Sequence, residues 1–418
     1  MRPQYHYAPA ANWLSDPNGL VYHTGEWHLF YQYNPEGEGW GHMSWGHAIS
    51  PDLAAWTELP VAIAETAADM IFSGSAVIDH AGSAGFGHDA MVAIYTAAAR
   101  HGPQRQSQAL AHSSDSGRSF VIYSGNPVID LEMADFRDPN VFWHDPTQRW
   151  IMVVVLSNEN RALIYASKDL RQWDEMSEIS GTNAPGRIWE CPLLIELPVE
   201  GTGTNRWLFK VDVLHDAPGS GALYQTGTFD GVRFAADGPQ LEPLWQVADH
   251  GRDFYAAIAW HEPRDAMGRP AWIGWMGNHA YQGQLPLKGW RGAMSLPRRL
   301  SLIGTGGQYR LRQEVEPAVA ARAPELVMGT AGLALVGRLC LPASERLDWT
   351  ASDSEGRVVR IERSGDQLLV SRQVPQLRVL DAVCQCTVDP DQALELWFDH
   401  GSIEVFSGNG GTAMTLQV

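Results

Sequence analysis

Three carboxylates sit in stiff, aromatic surroundings along this chain of 418 residues. Asp16 lies in Trp13-Leu-Ser-Asp-Pro-Asn-Gly19, Asp138 in Phe136-Arg-Asp-Pro-Asn140, and Glu190 in Trp189-Glu-Cys-Pro192. In each, a proline or an aromatic ring flanks the acid, which restricts its backbone and limits its solvation. A single Asp-Pro is ordinarily a turn, and Asp145-Pro146 and Glu262-Pro263 read that way. Three such acids gathered in one pit would be the equipment of glycoside hydrolysis. One carboxylate attacks the anomeric carbon or activates water, and a second, kept protonated, donates to the leaving oxygen. Glu190, between Trp189 and Cys191, is the better candidate for the protonated acid. Asp16, beside the donors of Ser15, Asn18 and Gly19, is suited to stay ionised, as is Asp138 next to Arg137.

Other chemistries leave no mark. There is no Gly-x-Ser-x-Gly, no phosphate-binding glycine loop, no dinucleotide fingerprint and no His-Glu-x-x-His. His42 and His47 flank Met43-Ser-Trp-Gly46 and read as structural or substrate-contacting residues rather than metal ligands. No metal and no cofactor is implied. A formal charge of −18 would repel phosphate backbones and anionic lipid, so neither nucleic acid nor a membrane surface is an expected partner.

The elements that must position these acids are strands. Short apolar runs such as Met91–Tyr95, Trp150–Leu156, Arg206–Val213 and Ala271–Trp275 alternate with Gly, Pro, Asn and Asp. An internal repeat is visible. Ser50-Pro-Asp-Leu-Ala-Ala-Trp56 matches Ser167-Lys-Asp-Leu-Arg-Gln-Trp173, with looser copies at Ser113–Phe120 and Thr228–Phe234. Copies about 60 residues apart, each spanning a few strands, read as propeller blades. Corresponding loops of a propeller converge on its axis, so acids from different blades can share one pit. Fifteen of the 17 tryptophans and 14 of the 15 histidines precede Leu300. The tryptophans fit either a bulky core or a cleft in which flat rings cover sugar faces. The composition change places a boundary near residue 300. The expected division is a propeller over 1–303, a linker with a short helix over 304–325, and a small β-sandwich over 326–418. Four cysteines make no disulfide framework, and Cys384 and Cys386 read as one face of a strand. The opening residues show no apolar signal core and no run is long enough to span a bilayer, so the chain as given is expected to be cytoplasmic.

These motifs resemble those of glycoside hydrolase family 32, the invertases, inulinases and levanases. The likeness rests on Asp16–Gly19, Arg137–Pro139 and Glu190–Cys191, with Trp45–Ala48, Phe72–Ser75, Asp253–Ala256, Trp290–Pro297 and Ile403–Phe406 in the same order. It implies an all-β chain, a five-bladed propeller followed by a β-sandwich. It implies retention through a fructosyl-enzyme intermediate, with Asp16 as nucleophile, Glu190 as acid/base and Asp138 as transition-state stabiliser holding fructose hydroxyls with Arg137. Ser15, Asn18, Gln32, Trp40, Phe72, Ser73, Asp253 and His279 would contact substrate. The finer pattern resembles exo-inulinases and levanases more than plant invertases. The substrate class implied is sucrose, fructo-oligosaccharide or fructan; oligomeric state stays open.

Two residues depart from the family pattern. Ser15 stands where Asn usually precedes the nucleophile, and His279 stands where Trp is common. A hydroxyl cannot donate the two N–H bonds of an amide. His279 would make the pocket wider and more polar. Sucrose-preferring hydrolysis, fructosyl transfer or anhydride formation therefore stay open on the same scaffold. So do an inactive, carbohydrate-binding propeller and an inverting pentosidase.

Overall fold

The computed structural model describes residues 2–180, 186–214, 218–238, 245–285, 288–305, 308–327, 332–333, 336–375 and 377–418. It is a five-bladed β-propeller followed by a β-sandwich. Blade one comprises Asn12–His23, Glu26–Asn34, Ser44–Ser50 and Thr57–Ile63. Blade two comprises Asp69–Asp79, Ala90–Ala99, Gln106–Ser113 and the short Val121–Ile122. Blade three runs through Phe136–His144, Arg149–Leu156, Arg161–Ser167 and Asp174–Ser180. Blade four uses Arg187–Val199, Thr204–Leu214, Ala222–Phe229 and Phe234–Ala236. Blade five uses Tyr255–Trp260, Ala271–Met276, Arg298–Thr305 and Gln308–Val315.

The first strand of each blade lies innermost, and these strands pack on one another in a ring. Second strands are sandwiched between blades, and that of blade three is apolar on both faces. In Arg149–Leu156 every residue from Trp150 onward is buried. The ring closes where Asn12 and Trp13 pair in parallel with Trp290 and Arg291. Most tryptophans are packing: Trp45, Trp189, Trp260, Trp272 and Trp275 are fully buried.

The repeat marks one corner of four blades, the connection from third to fourth strand. Asp52 Oδ1 accepts the backbone N–H of Ala54 and Ala55, and Asp169 Oδ1 accepts those of Arg171 and Gln172. Asp230 does the same for Val232 and Arg233, and Asp115 for Ser119. Each carboxylate caps a turn whose chain reverses into the next strand.

The segment expected to be a linker is only partly one. Gln308–Val315 is a full strand paired with Arg298–Thr305, so the alternating charges of that stretch mark the two faces of an outer strand. Gly306 and Gly307 lie outside the described residues. The expected helix is one turn, Pro317–Ala320. The sandwich then stacks the strands Val336–Leu341, Leu394–Asp399, Ser402–Ser407 and Ala413–Gln417 against Arg346–Ser352, Val358–Ser364, Gln367–Gln373 and Ala382–Thr387. Cys384 and Cys386 share its buried face, and all four cysteines are free. No helix among the described residues is long and apolar enough to cross a membrane.

Propeller and sandwich are joined by buried ions as well as by an apolar patch of Leu296, Val319, Trp397 and Phe406. Asp399 accepts the backbone N–H of Gln4, Tyr5 and His6. The His6 ring spans Asp399 at 2.9 Å and Glu404 at 3.0 Å. Burial works against the imidazolium, but these two carboxylates outweigh it and hold the His6 pKa up at about 9. Arg298, with no exposed surface, donates to Asp249 (3.1 Å) and Glu404 (2.6 Å). Gly251 lets the two domains touch backbone to backbone; a Cβ there would lie 2.2 Å from the Thr415 carbonyl oxygen. We expect Arg298→Met to destabilise the protein by about 3–5 kcal/mol, because it strands buried carboxylates without their cation. Urea unfolding of the two proteins checks this, and a loss below about 1 kcal/mol would contradict it.

Candidate active site

Every innermost strand is interrupted at the same level of the ring. The ladder slips between Leu14 and Pro17 in blade one, Ile71 and Gly74 in blade two, and Arg137 and Asn140 in blade three. It slips between Glu190 and Leu193 in blade four and between Tyr255 and Ile258 in blade five. A β-bulge re-aims the side chains beside it. Here five bulges turn Asp16, Phe72, Ser73, Asp138, Glu190 and Tyr255 toward the axis. Asp138, Cys191 and Ala256 adopt left-handed backbone, at φ of 65°, 47° and 55°. The prolines after Asp16, Asp138 and Cys191 fit this setting, since a bulge tolerates a residue without an N–H. The acids therefore sit inside strands rather than in the turn-like loops expected from their Asp-Pro and Glu-Cys-Pro motifs. Asp145-Pro146 and Glu262-Pro263, read as turns, do lie between strands.

The three acids converge on Cys191. Its backbone N–H donates to Asp138 Oδ2 at 2.9 Å. Its thiol lies 3.7 Å from Asp138 Oδ2 and 3.8 Å from Asp16 Oδ2. Ser73 Oγ donates to Asp16 Oδ2 at 2.7 Å. The Arg137 guanidinium donates to Glu190 Oε1 from Nε (3.2 Å) and Nη2 (3.1 Å), and reaches Asp138 at 4.0 Å. The Tyr255 hydroxyl donates to Glu190 Oε2 at 2.7 Å. Glu190 thus lies between a guanidinium and a phenol, not in the apolar surroundings expected from Trp189 and Cys191. Trp189 is turned into the core, fully buried.

Burial dominates the electrostatics. It pushes the Asp16 carboxyl above its ordinary range, against the Ser73 hydrogen bond and the nearby His279. It pushes Asp138 up to about 7, against the charge of Arg137 and with the help of Glu190. Asp138 was expected to stay charged beside Arg137; that cation is opposed here by desolvation, which raises the carboxyl. A nucleophilic Asp16 must be ionised, so kcat/KM should fall on the acid side at a pH above the ordinary carboxylate value of 3.8. Ser73→Ala removes a bond that favours the charged form, so it should move this limb to higher pH. A pH–rate profile on sucrose checks the shift, and an unmoved limb would show that the bond does not hold the charge.

The outer candidates divide. Trp40, 58% exposed, meets Phe72 edge-on with ring centres 6.0 Å apart. His279, also exposed, stands edge-on to Tyr255 and Trp275 at 5.1 and 4.9 Å. Both can flank an incoming sugar. Ser15 and Gln32 are buried beside the bulges, and Gln32 Nε2 donates to the Ile71 carbonyl at 3.0 Å. Asn18 is fully buried, and its Oδ1 accepts the Gly74 N–H at 3.2 Å, which ties blade one to blade two. Asp253 is likewise withdrawn. Its carboxylate pairs with Arg372 of the sandwich at 2.7 Å and accepts from the Tyr281 hydroxyl and the Gln417 N–H. In the Asp253–Ala256 stretch the residue that reaches the site is Tyr255. Its signal was the stretch itself, in which the acid drew attention from the phenol two positions on.

A cavity of about 1320 Å³ opens at the other ends of the inner strands. Val77, Phe142, Trp207 and His261 line it, and none of the three acids does. The chemistry therefore lies at the opposite mouth.

Comparison with known proteins agrees with this arrangement. The family profile described as "Glycosyl hydrolases family 32 N-terminal domain" matches residues 6–314. A levanase of Bacillus subtilis is 47% identical over 309 residues, covering 72% of this chain and 45% of the levanase. An extracellular exo-inulinase of Aspergillus awamori is 34% identical, covering 100% of this chain and 89% of that protein. Its crystal structure superposes with a TM-score of 0.87 at 32% identity, over 100% of this chain and 92% of the other. A fructofuranosidase of Schwanniomyces occidentalis solved with fructose gives 0.85 at 29% identity, over 100% and 91%. The ring of five bulged strands, the order of the motifs along it and the match from residue 6 to 314 converge on one conclusion: the chain belongs to glycosyl hydrolase family 32.

Proposed function

We propose that the protein is a retaining exo-β-fructosidase that releases terminal fructose from sucrose, fructo-oligosaccharides and β-fructans. One observation carries this reading: Asp16, Asp138 and Glu190 come from the inner strands of three blades and meet around Cys191. Asp16 attacks the anomeric carbon of the fructosyl residue while Glu190 protonates the departing oxygen. Glu190, now a carboxylate, takes a proton from water, which displaces Asp16 and restores the original anomer. Tyr255 suits both halves, because a phenol donates to a carboxylate and accepts from a carboxylic acid. Asp138 and Arg137 hold sugar hydroxyls beside the reacting carbon. Exo action is supported by the likeness to an exo-inulinase over the whole chain. The exposed Trp40 and the polar His279 supply one apolar and one polar wall for the leaving sugar.

The test is to incubate the protein with sucrose, inulin and levan, resolve the products and follow the first anomer by NMR. Free fructose with retained anomeric configuration is the expected result. Oligomers without fructose would replace exo with endo action, inversion would remove the covalent intermediate, and new oligosaccharides at high sucrose would make transfer the main reaction. No hydrolysis of any of the three would refute the reading.

A further inference from the structure

Behind Glu190 lies a charged pair that the steps above do not use. Lys210 and Asp212 stand on one face of the second strand of blade four, in the otherwise apolar run Leu208-Phe-Lys-Val-Asp-Val213. Neither has any exposed surface. The Lys210 ammonium has three donors and three partners. It is bonded to the Asp212 carboxylate, to the Cys191 carbonyl at 3.1 Å and to the Ala257 carbonyl at 2.8 Å. Those two carbonyls belong to different blades, and each lies within a bulge of its inner strand.

The consequence is geometric. Cys191 follows Glu190 directly, and its N–H is the donor to Asp138. Ala257 follows Tyr255 by two residues, and Tyr255 is the donor to the other oxygen of Glu190. One ammonium therefore fixes the bulge that carries Glu190 against the bulge that carries its phenol partner. It also anchors the residue whose N–H points at Asp138, through the carbonyl on the other side of its Cα. Stability gives little reason to keep such a pair. Burying an ammonium costs several kcal/mol, and apolar residues of similar volume often replace a buried ion pair without loss.

We propose that Lys210, with Asp212 as its counter-ion, is a positioning residue for the acid/base step. It holds Glu190 and Tyr255 at a fixed separation across the seam between blades four and five. The proposal rests on Glu190 as the acid/base.

The experiment compares wild type and Lys210→Met on two substrates. Sucrose needs its leaving oxygen protonated. A nitrophenyl β-fructofuranoside does not, and its burst of nitrophenolate reports the first half-reaction alone. We expect kcat on sucrose to fall about 10–100-fold with KM within about twofold, and the nitrophenolate burst rate to fall less than about threefold. The ratio of the two rates is independent of the fraction folded, so loss of folded protein does not imitate the effect. Should the single variant not be recovered, Lys210→Met/Asp212→Leu removes both charges and carries the same ratio. Equal losses on both substrates, or an undiminished rate on sucrose, would overturn the proposal. A wild type inert toward sucrose would instead refute the proposed function.

Discussion

Asp16→Ala should bring the hydrolysis of sucrose and inulin to background, a loss of about 10⁵-fold or more. The side chain is the only carboxylate on blade one's inner strand to reach the site, and Ser73 from blade two holds it in place at 2.7 Å. Alanine leaves nothing able to form the covalent bond to the sugar. The fold should tolerate the change, since a carboxylate that burial disfavours is removed and no cation loses its partner. Loss of activity should therefore appear with an unaltered melting curve. Residual turnover above about one part in 10³ would give the nucleophile's role to another residue.

Glu190→Ala should slow sucrose hydrolysis by about 10²–10⁴-fold, the usual contribution of a positioned acid and base. The shape of the loss is more informative than its size. The first half-reaction no longer needs an acid when the leaving group is a nitrophenolate, so that step should remain fast. The fructosyl-enzyme then waits for a base-activated water. Azide is already ionised and needs no base, so added azide should restore turnover and yield fructosyl azide. Arg137 would keep Asp135 and Asp138 as neighbours in this variant, and Tyr255 would lose its acceptor. No acceleration by azide would mean that Glu190 acts otherwise than as the acid/base.

Much of this was legible in the sequence because it depends on local chemistry. The Ser/Thr-x-Asp corners repeat since four blades reverse at the same place, and a carboxylate capping backbone N–H groups is the simplest way to do so. The prolines after Asp16, Asp138 and Cys191 marked backbone of unusual shape, although as bulges rather than turns. What stayed hidden depends on strands that meet only in three dimensions. Nothing near Asp253 shows that it faces Arg372, and nothing near Asn18 shows that its amide oxygen meets the Gly74 N–H. Asp138 sits next to a cation in the chain, and nothing local shows that burial works against that cation. Lys210 and Asp212 did leave a trace, two opposite charges at alternate positions of an apolar strand. The alternation puts that pair on the face of Leu208, opposite Phe209 and Val211, in a strand with no polar face of its own.

The closure of the ring also sets an order of events during synthesis. The strand that carries Asp16 finds its parallel partner at Trp290 and Arg291, and the segment just before it is held by Asp399 and Glu404. Ribosomes extend a chain by roughly 5–20 residues per second, so those anchors emerge tens of seconds after Asp16 has left the exit tunnel. Among the described residues, blades two and three pair only within themselves and can form meanwhile. The nascent chain thus carries Asp16 early, while the contacts that seat its strand wait for Leu394–Asp399 and Ser402–Ser407.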